Sequence, residues 1–150
     1  MDEFLAAIKS NAEKAGVFKD VKINSLGVLQ CAAKDAAEPA WYRIDRTDGK
    51  LNVSLVTANR WLSESIEADL MHYGDPIEEL IEEELIEQGY KGKALPVQHY
   101  RSDDMLYTFR SPLPIKGPDD KNAVQIATQC LLAYEAAFRE LGDMGGEGDE

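Results

Sequence analysis

The chain has 150 residues, of which 44% are hydrophobic and 29% charged, and its net charge is −12. This length suits a single domain, the apolar content excludes a wholly disordered chain, and no apolar run approaches the roughly 18 residues of a membrane span. The acidic N-terminus lacks the basic region and long apolar stretch of a secretory signal, so a cytoplasmic protein is expected. The excess of negative charge repels a phosphate backbone, so nucleic acid is a poor candidate partner.

The cysteine content is low, with only Cys31 and Cys130. They form no CxxC pair, so the sequence predicts reduced thiols rather than a disulfide framework or a thiolate metal site. Cys130 falls on the apolar face of a predicted helix, where a free cysteine acts as a small core residue. No metal or cofactor is expected.

An amphipathic helix is predicted over residues 2–15, and Gly16 is its natural stop. Its apolar positions recur at spacings near the helical period and are Phe4, Leu5, Ile8, Ala12 and Ala15. The signal weakens over 17–39, where apolar residues around 21–23 and 26–30 indicate one or two short strands.

A β-hairpin is the strongest local prediction. Residues 41–46 and 51–57 both alternate between apolar and polar side chains. The segment Thr47-Asp48-Gly49-Lys50 lies between them and contains the Asp-Gly pair that is typical of a tight turn.

Residues 61–71 fit two structures. Leu62, Ile66 and Leu70 suit the stripe of a helix, and they also occupy alternate positions of a strand. The strand is favoured because the intervening positions are polar and because Asn59-Arg60 can turn the chain back. The polar residues in question are Ser63, Ser65, Glu67 and Asp69. This interpretation extends the hairpin into a three-stranded meander.

A second helix is predicted to begin near residue 76, with Asp75 as its N-cap, Pro76 at the first helical position and Glu78 three positions after the cap. Gly89 ends it. Its apolar stripe consists of Ile77, Leu80, Ile81 and Leu85, and its exposed face carries Glu78, Glu79, Glu82, Glu83 and Glu87.

The C-terminal part contains a second hairpin, since residues 95–100 and 105–111 again alternate. A long helix follows, with apolar residues at intervals of three and four, namely Val124, Ala127, Leu131, Tyr134, Phe138 and Leu141. Residues 142–150 are rich in glycine and acidic side chains, which predicts a disordered tail after a single domain over 1–141. The predicted class is α+β: an antiparallel sheet of a meander plus a hairpin, with an N-terminal helix, a middle acidic helix and a long C-terminal helix.

Charge is segregated along the chain. Residues 61–90 contain ten acidic side chains and no Lys or Arg, whereas residues 91–118 contain five basic and two acidic ones. A solvated acidic helix accounts for this pattern. The alternative is an acidic docking surface that includes Glu79 and Glu83 and steers a basic partner.

Aromatic residues provide the other candidate surface. Most belong to the core of the predicted sheet. If the first and last helices cover one sheet face, the opposite face carries whichever of Trp61, Tyr42 and Tyr100 do not point inward. With Trp41, these residues are the candidates for an exposed patch that binds a protein partner.

Sequence motifs for catalysis are absent. The chain has two histidines, His72 and His99, and lacks HExxH, GxSxG, Walker-type and GxGxxG patterns. His99 lies in a strand-like run, which favours a structural role. A small enzyme of unknown reaction remains the alternative to a binding protein, with carboxylates meeting His72 or His99 in a pocket. A purely structural subunit is a third possibility.

The segment Asp104–Phe109, followed by a long helix with Ala133, Tyr134 and Phe138, suggests a family. With the order of elements over about residues 2–141, it resembles the α-β-β-β-α-β-β-α arrangement of the type III secretion chaperone fold, especially the YbjN-like bacterial proteins. The resemblance implies a homodimer with a non-catalytic role, either holding an extended client segment or regulatory. It assigns no site residue. The predicted function is therefore non-catalytic protein binding through a sheet face or the acidic helix.

Overall fold

The computed structural model describes residues 2–34, 36–47, 49–73, 76–92, 94–102 and 105–145. Within these ranges the helices are α1 Asp2–Ala15, α2 Arg60–Tyr73, α3 Ile77–Glu87 and α4 Ala123–Arg139, and the strands are β1 Phe18–Ile23, β2 Leu29–Ala33, β3 Trp41–Thr47, β4 Lys50–Thr57, β5 Gln98–Arg101 and β6 Tyr107–Pro112. A 3₁₀ helix over Gly142–Gly145 follows α4. None of these helices is both long and apolar enough to cross a membrane.

The six strands form one antiparallel sheet in the order β1-β2-β3-β4-β6-β5. Strands β1 to β4 pair with their neighbours along the chain, and Gly49 has φ 77° in the tight turn after β3. Strand β6 pairs with the free edge of β4 and also with β5. The α+β class and the two predicted hairpin pairings are confirmed. The meander, however, consists of β1–β4 and does not include residues 61–71.

One face of the sheet carries the core and is called here the covered face. Its central row is Cys31, Tyr42, Leu55 and Phe109, which pair across four strands and are all buried. Helix α4 packs on β3 and β4, and α1 packs on α4 and β1. The apolar stripe predicted for α4 points into this core, where the Tyr134 hydroxyl lies 2.6 Å from Ser111 Oγ.

Residues 61–71 are helical, so the predicted strand is wrong. Asn59 is the N-cap of α2 rather than part of a turn, because its Oδ1 accepts a hydrogen bond from the Leu62 N–H at 2.8 Å. Leu62 and Ile66 are buried at the i,i+4 spacing. Ser63, which a strand would direct to solvent, is only 3% exposed.

The acidic helix α3 begins at Ile77, and Pro76 occupies the cap position one residue later than predicted. The predicted cap Asp75 lies outside the described residues. The end at Gly89 is confirmed: this glycine has φ 90°, and the next amide, of Tyr90, donates to the Leu85 carbonyl.

Residues 142–145 correct the prediction of a disordered segment over 142–150. The Gly142 N–H donates to the carboxylate of Asp69 on α2, and Met144 is only 3% exposed. One buried methionine supplies the apolar anchor that the surrounding glycine-rich composition conceals. The remainder of the predicted tail lies outside the described residues.

Candidate functional site

The sheet face opposite α1 and α4, called here the open face, has no helix over it in the described part of the chain. Strand register sets two neighbouring rows of side chains across this face. One row is Gln30, Arg43, Ser54, Arg110 and Gln98, and the other is Ala32, Trp41, Val56, Thr108 and Tyr100. Arginine and aromatic side chains therefore share one surface.

A groove of about 490 Å³ lies on the open face over β4. Its lining comes from β3, β4, β5, β6 and the β5–β6 connection: Arg43, Asp45, Thr47, Ser54, Val56, Tyr100, Arg101, Ser102, Leu106, Thr108 and Arg110. Ser54, Val56 and Thr108 form its floor and are only 2–4% exposed although no helix covers them. The long side chains of the walls shield this floor and give the groove its depth.

Two arginines face each other across β4, since Arg43 and Arg110 both pair with Ser54. Arg43 Nε donates to Gln30 at 3.1 Å, and Arg110 donates to Gln98 at 2.9 Å. Neither guanidinium forms a salt bridge within the described ranges. The neutral glutamines orient the guanidinium groups without offsetting their positive charge, and the single carboxyl of Asp45 lies near both arginines.

The Tyr100 ring contributes to the same wall, and Arg101 of the lining contacts Tyr107, which lies outside the groove lining. The Arg110 guanidinium lies 5.2 Å from the centroid of the half-buried Tyr100 ring, and Arg101 lies 5.5 Å from the Tyr107 ring. Such cation–π contacts hold the rings and the charges in fixed relative positions.

Asp45 is the acidic residue of the groove lining. Its Oδ1 is buried and has no hydrogen-bond partner among the described residues. Burial raises the pKa of this carboxyl, while a hydrogen bond with Asn52 and the charges of Arg43 and Arg110 act in the opposite direction. The groove therefore contains an acceptor atom that the described part of the protein leaves unsatisfied.

The aromatic candidates from the sequence separate in the structure. Trp41 and Tyr100 lie on the open face in one row. Tyr42 belongs to the covered face, is 1% exposed and packs against Phe18 with ring centroids 5.7 Å apart. Burial, and then the charge of Glu135, raises its pKa well above the usual value. Its inclusion among surface residues is corrected for this reason.

The other three candidates lie on the helical side. Trp61 is 76% exposed on α2, and Glu79 and Glu83 are exposed on α3, which packs on α4. Glu83 lines a cleft of about 250 Å³ between α3 and α4, where burial and then the charge of Glu87 raise the pKa of Glu84. The structure does not bring these residues together with Trp41 and Tyr100.

The His99 side chain contacts two side chains of α2. Its Nδ1 lies 2.9 Å from Glu67 Oε2, its Nε2 lies 3.5 Å from Ser63 Oγ, and its ring stacks on Phe109 at 3.8 Å. Burial lowers the pKa of His99, the nearby charge of Glu67 acts in the opposite direction, and the net shift is downward. His72 lies in α2, and its side chain is outside the described part of the structure.

Thiol and metal chemistry have little support in this geometry. Cys31 and Cys130 are both buried, and burial raises the pKa of each thiol to about 12. Within the described ranges, no group of three or more His, Cys, Asp or Glu side chains is placed to bind a metal ion.

Of the groove lining, the sequence interpretation named only Tyr100 as a candidate; the residues that it missed include Arg43, Asp45, Ser54 and Arg110. A signal for the first three was present, because they alternate with the inward residues of the predicted hairpin. Arg110 lies in the segment recognised as basic. The missing information was the pairing of β6 with β4, which places Arg110 opposite Arg43 and which no local pattern specifies.

Comparisons with protein-family models, curated proteins and solved structures found no match for this chain.

Proposed function

We propose that this chain is a non-catalytic, chaperone-like protein-binding protein and that the groove of the open face receives the partner. The observation that carries the proposal is a buried groove floor that no helix covers in the described part of the chain, flanked by two arginines that form no salt bridge among the described residues. Arginine, tyrosine and tryptophan are the residues enriched at the centres of protein interfaces.

The acidic helix is the weaker of the two predicted surfaces. The cleft beside Glu83 is about half the volume of the groove, at about 250 Å³ against about 490 Å³. Exposed glutamates on a helix are also the ordinary composition of a solvated face. The open face, in contrast, combines depth, an aromatic ring and more arginines than acidic residues in the groove lining.

The proposed role also draws on the predicted resemblance to type III secretion chaperones, in which an extended client is held by a non-catalytic protein. Compared with the predicted α-β-β-β-α-β-β-α arrangement, the structure has four strands rather than three after the first helix, and two middle helices rather than one. We therefore carry over the general role and the homodimer as parts of the proposal, without assigning any residue from the family.

The proposal is tested by photo-crosslinking from two positions of the full chain in cells. A photoreactive amino acid replaces the exposed groove residue Thr47 in one variant and the exposed α3 residue Glu79 in the other. Proteins crosslinked from each position are identified and purified, and their affinity is measured by calorimetry. Two double variants are compared with the unmodified chain. The arginine double variant carries Arg43→Gln and Arg110→Gln, and the glutamate double variant carries Glu79→Gln and Glu83→Gln.

We expect a protein crosslinked from Thr47 whose affinity falls at least about tenfold in the arginine double variant, since each decade corresponds to about 1.4 kcal/mol. The glutamate double variant should bind within about twofold of the unmodified chain, because exposed rim charges contribute little affinity. A partner that depends on the glutamates and not on the arginines would move the site to α3.

A second candidate function follows from Glu67, His99 and Ser63, which lie in the order of a hydrolytic triad. Ser63 is only 3% exposed, and the His99 ring is stacked on Phe109. Both features limit the access that a nucleophile and its base require, so we assign the three residues to linking β5 with α2.

Hydrolysis of p-nitrophenyl acetate distinguishes these roles. The unmodified chain and Ser63→Ala should hydrolyse the ester at the same rate. A rate at least about a hundredfold faster than free imidazole, lost in Ser63→Ala and in Glu67→Gln, would establish an enzyme instead.

A further inference from the structure

We infer that the segment received by the groove is an extended peptide carrying acidic side chains, held between Arg43 and Arg110. This inference rests on the proposed function and adds the chemistry of the partner. It does not depend on which protein supplies the segment.

Charge complementarity identifies the class of side chain. The chain as a whole has a net charge of −12, yet Lys22, Arg43, Lys50 and Arg110 lie on the open face against Asp20 and Asp45. Lys22 pairs with Asp20 at 3.2 Å, whereas the two arginines donate to neutral glutamines and have the single charge of Asp45 near both of them. Two positive charges held apart from the abundant carboxylates of an acidic protein fit an acidic ligand.

Spacing across the groove suits a carboxylate. Arg43 and Arg110 are two strands apart, which places their Cα atoms about 10 Å from each other. Each guanidinium is hydrogen-bonded on its outer side, Arg43 to Gln30 and Arg110 to Gln98, so the two lie on either side of Ser54 and each can contact a carboxylate of a peptide that enters from solvent above β4. Charge-assisted pairs of this kind are the stronger hydrogen bonds of protein interfaces.

An extended backbone suits the remaining groups. Strand β4 pairs with β3 and β6 on its two sides, so a ligand above it cannot join the sheet and is recognised through side chains. The buried Asp45 Oδ1 lacks a donor among the described residues and can accept a hydrogen bond from a peptide N–H. Tyr100 provides an apolar wall for the chain between its charged residues.

A second copy of this chain is a poorer occupant. Two open faces in a symmetric contact would set arginines against arginines. An open face on the acidic α3 of another copy is a head-to-tail contact, because α3 lies on the helical side with α4, and such contacts do not close into a dimer. Nucleic acid is disfavoured because its many phosphates would meet the negative charge of the rest of the surface.

The test uses fluorescence anisotropy with short labelled peptides of equal length and the folded full chain. Their sequences alternate Glu with Ser, Gln with Ser, and Lys with Ser, and a thymidine oligonucleotide is the fourth probe. The groove variant carries Arg43→Gln and Arg110→Gln. The control variant carries Arg46→Gln and Arg60→Gln, which removes two positive charges outside the groove. Circular dichroism confirms that each variant is folded.

We expect the Glu-Ser peptide to bind at least about tenfold more tightly than the other three probes. Its affinity should fall at least about tenfold in the groove variant, change little in the control variant and weaken with added salt. Equal binding of the Gln-Ser peptide, lost in the groove variant, would overturn the acidic assignment while leaving the proposed function intact. Equal or tighter binding of the oligonucleotide would overturn the peptide assignment. Binding of the Glu-Ser peptide that both double variants weaken equally would overturn the groove as the site, and with it the proposed function.

Discussion

Asp45 places a partly buried carboxylate in the groove, which is unfavourable for folding stability. Its carboxyl group is partly buried, one oxygen has no partner in the described structure, and its pKa is raised chiefly by that burial. A group with a raised pKa binds its proton more tightly in the folded state, so folding stability falls as pH rises above 3.8, its usual pKa. An unfavourable charge of this kind is common at binding sites.

Asp45→Asn should therefore stabilise the protein at neutral pH by roughly 0.5–1 kcal/mol, a small value because solvent screens part of the charge. The gain should vanish below pH 3.8, where the aspartate is protonated in both folded and unfolded chains. Thermal unfolding at both pH values measures this. The matched control is Asp20→Asn, which should give no gain because Asp20 lies 3.2 Å from Lys22. A destabilised Asp45→Asn at neutral pH would contradict the role given to burial.

Leu131 represents the residues whose role the sequence alone predicted. It is fully buried on α4, in the stripe expected from the spacing of three and four. Leu131→Ala should lower the free energy of unfolding by about 2–5 kcal/mol, measured by urea denaturation. The exposed Gln125→Ala on the same helix should change it by less than about 0.5 kcal/mol. Similar values for the two variants would contradict the packing of α4.

Alternation alone could not decide which strand face a residue occupies relative to the helices. Tyr42 and Trp41 are neighbours of similar character, and the sequence offered both as surface candidates. Their roles are opposite because α4 packs over the face that carries Tyr42. The location of that helix is a long-range property, so the candidate site was predicted only in part.

At the level of elements, long and regular patterns were the most predictable. Helices α1 and α4 and the β3–β4 hairpin follow directly from period and turn signals. Helix α2 did not, because Leu62 and Ile66 at a spacing of four satisfy both a helix and an alternating strand. The side-chain cap from Asn59 and the burial of Ser63 settle the choice, and neither follows from apolar alternation.

The 3₁₀ helix after α4 is expected to contribute to folding stability. Deleting residues 142–150 removes the buried Met144 side chain and the hydrogen bond from Gly142 to Asp69. The expected loss is about 2–4 kcal/mol, or roughly 5–15 °C in Tm. A chain that ends at Gly145 keeps these contacts and is the control. A Tm within about a degree of the full chain after deletion from Gly142 would show that this helix does not anchor α2.

At the scale of the whole molecule, two surfaces of opposite sign lie on opposite sides of one sheet. The glutamates of α3 lie on the helical side, and the arginines lie on the open face. The acidic helical side therefore repels negatively charged molecules, whereas the open face attracts an acidic ligand. Neither property follows from the net charge alone.

The homodimer stays a prediction from the family resemblance. Light scattering behind size-exclusion chromatography should give twice the monomer mass of 16.7 kDa at both low and high salt. The same mass is expected for Arg43→Gln with Arg110→Gln, because opposed arginines disfavour the open face as the dimer contact. A monomer at all salt concentrations would contradict the dimer, and a dimer lost only in the arginine variant would place a second copy in the groove.

The two tryptophans provide the most direct measurement, because Trp41 lies on the open face and Trp61 on α2. In Trp61→Phe the emission reports only Trp41, and in Trp41→Phe it reports only Trp61, the more exposed ring. Each variant is titrated with the Glu-Ser peptide and with a tryptophan-free form of the protein crosslinked from Thr47. We predict a saturable change in the emission of Trp41 and none in that of Trp61. The reverse result would contradict binding at the open face.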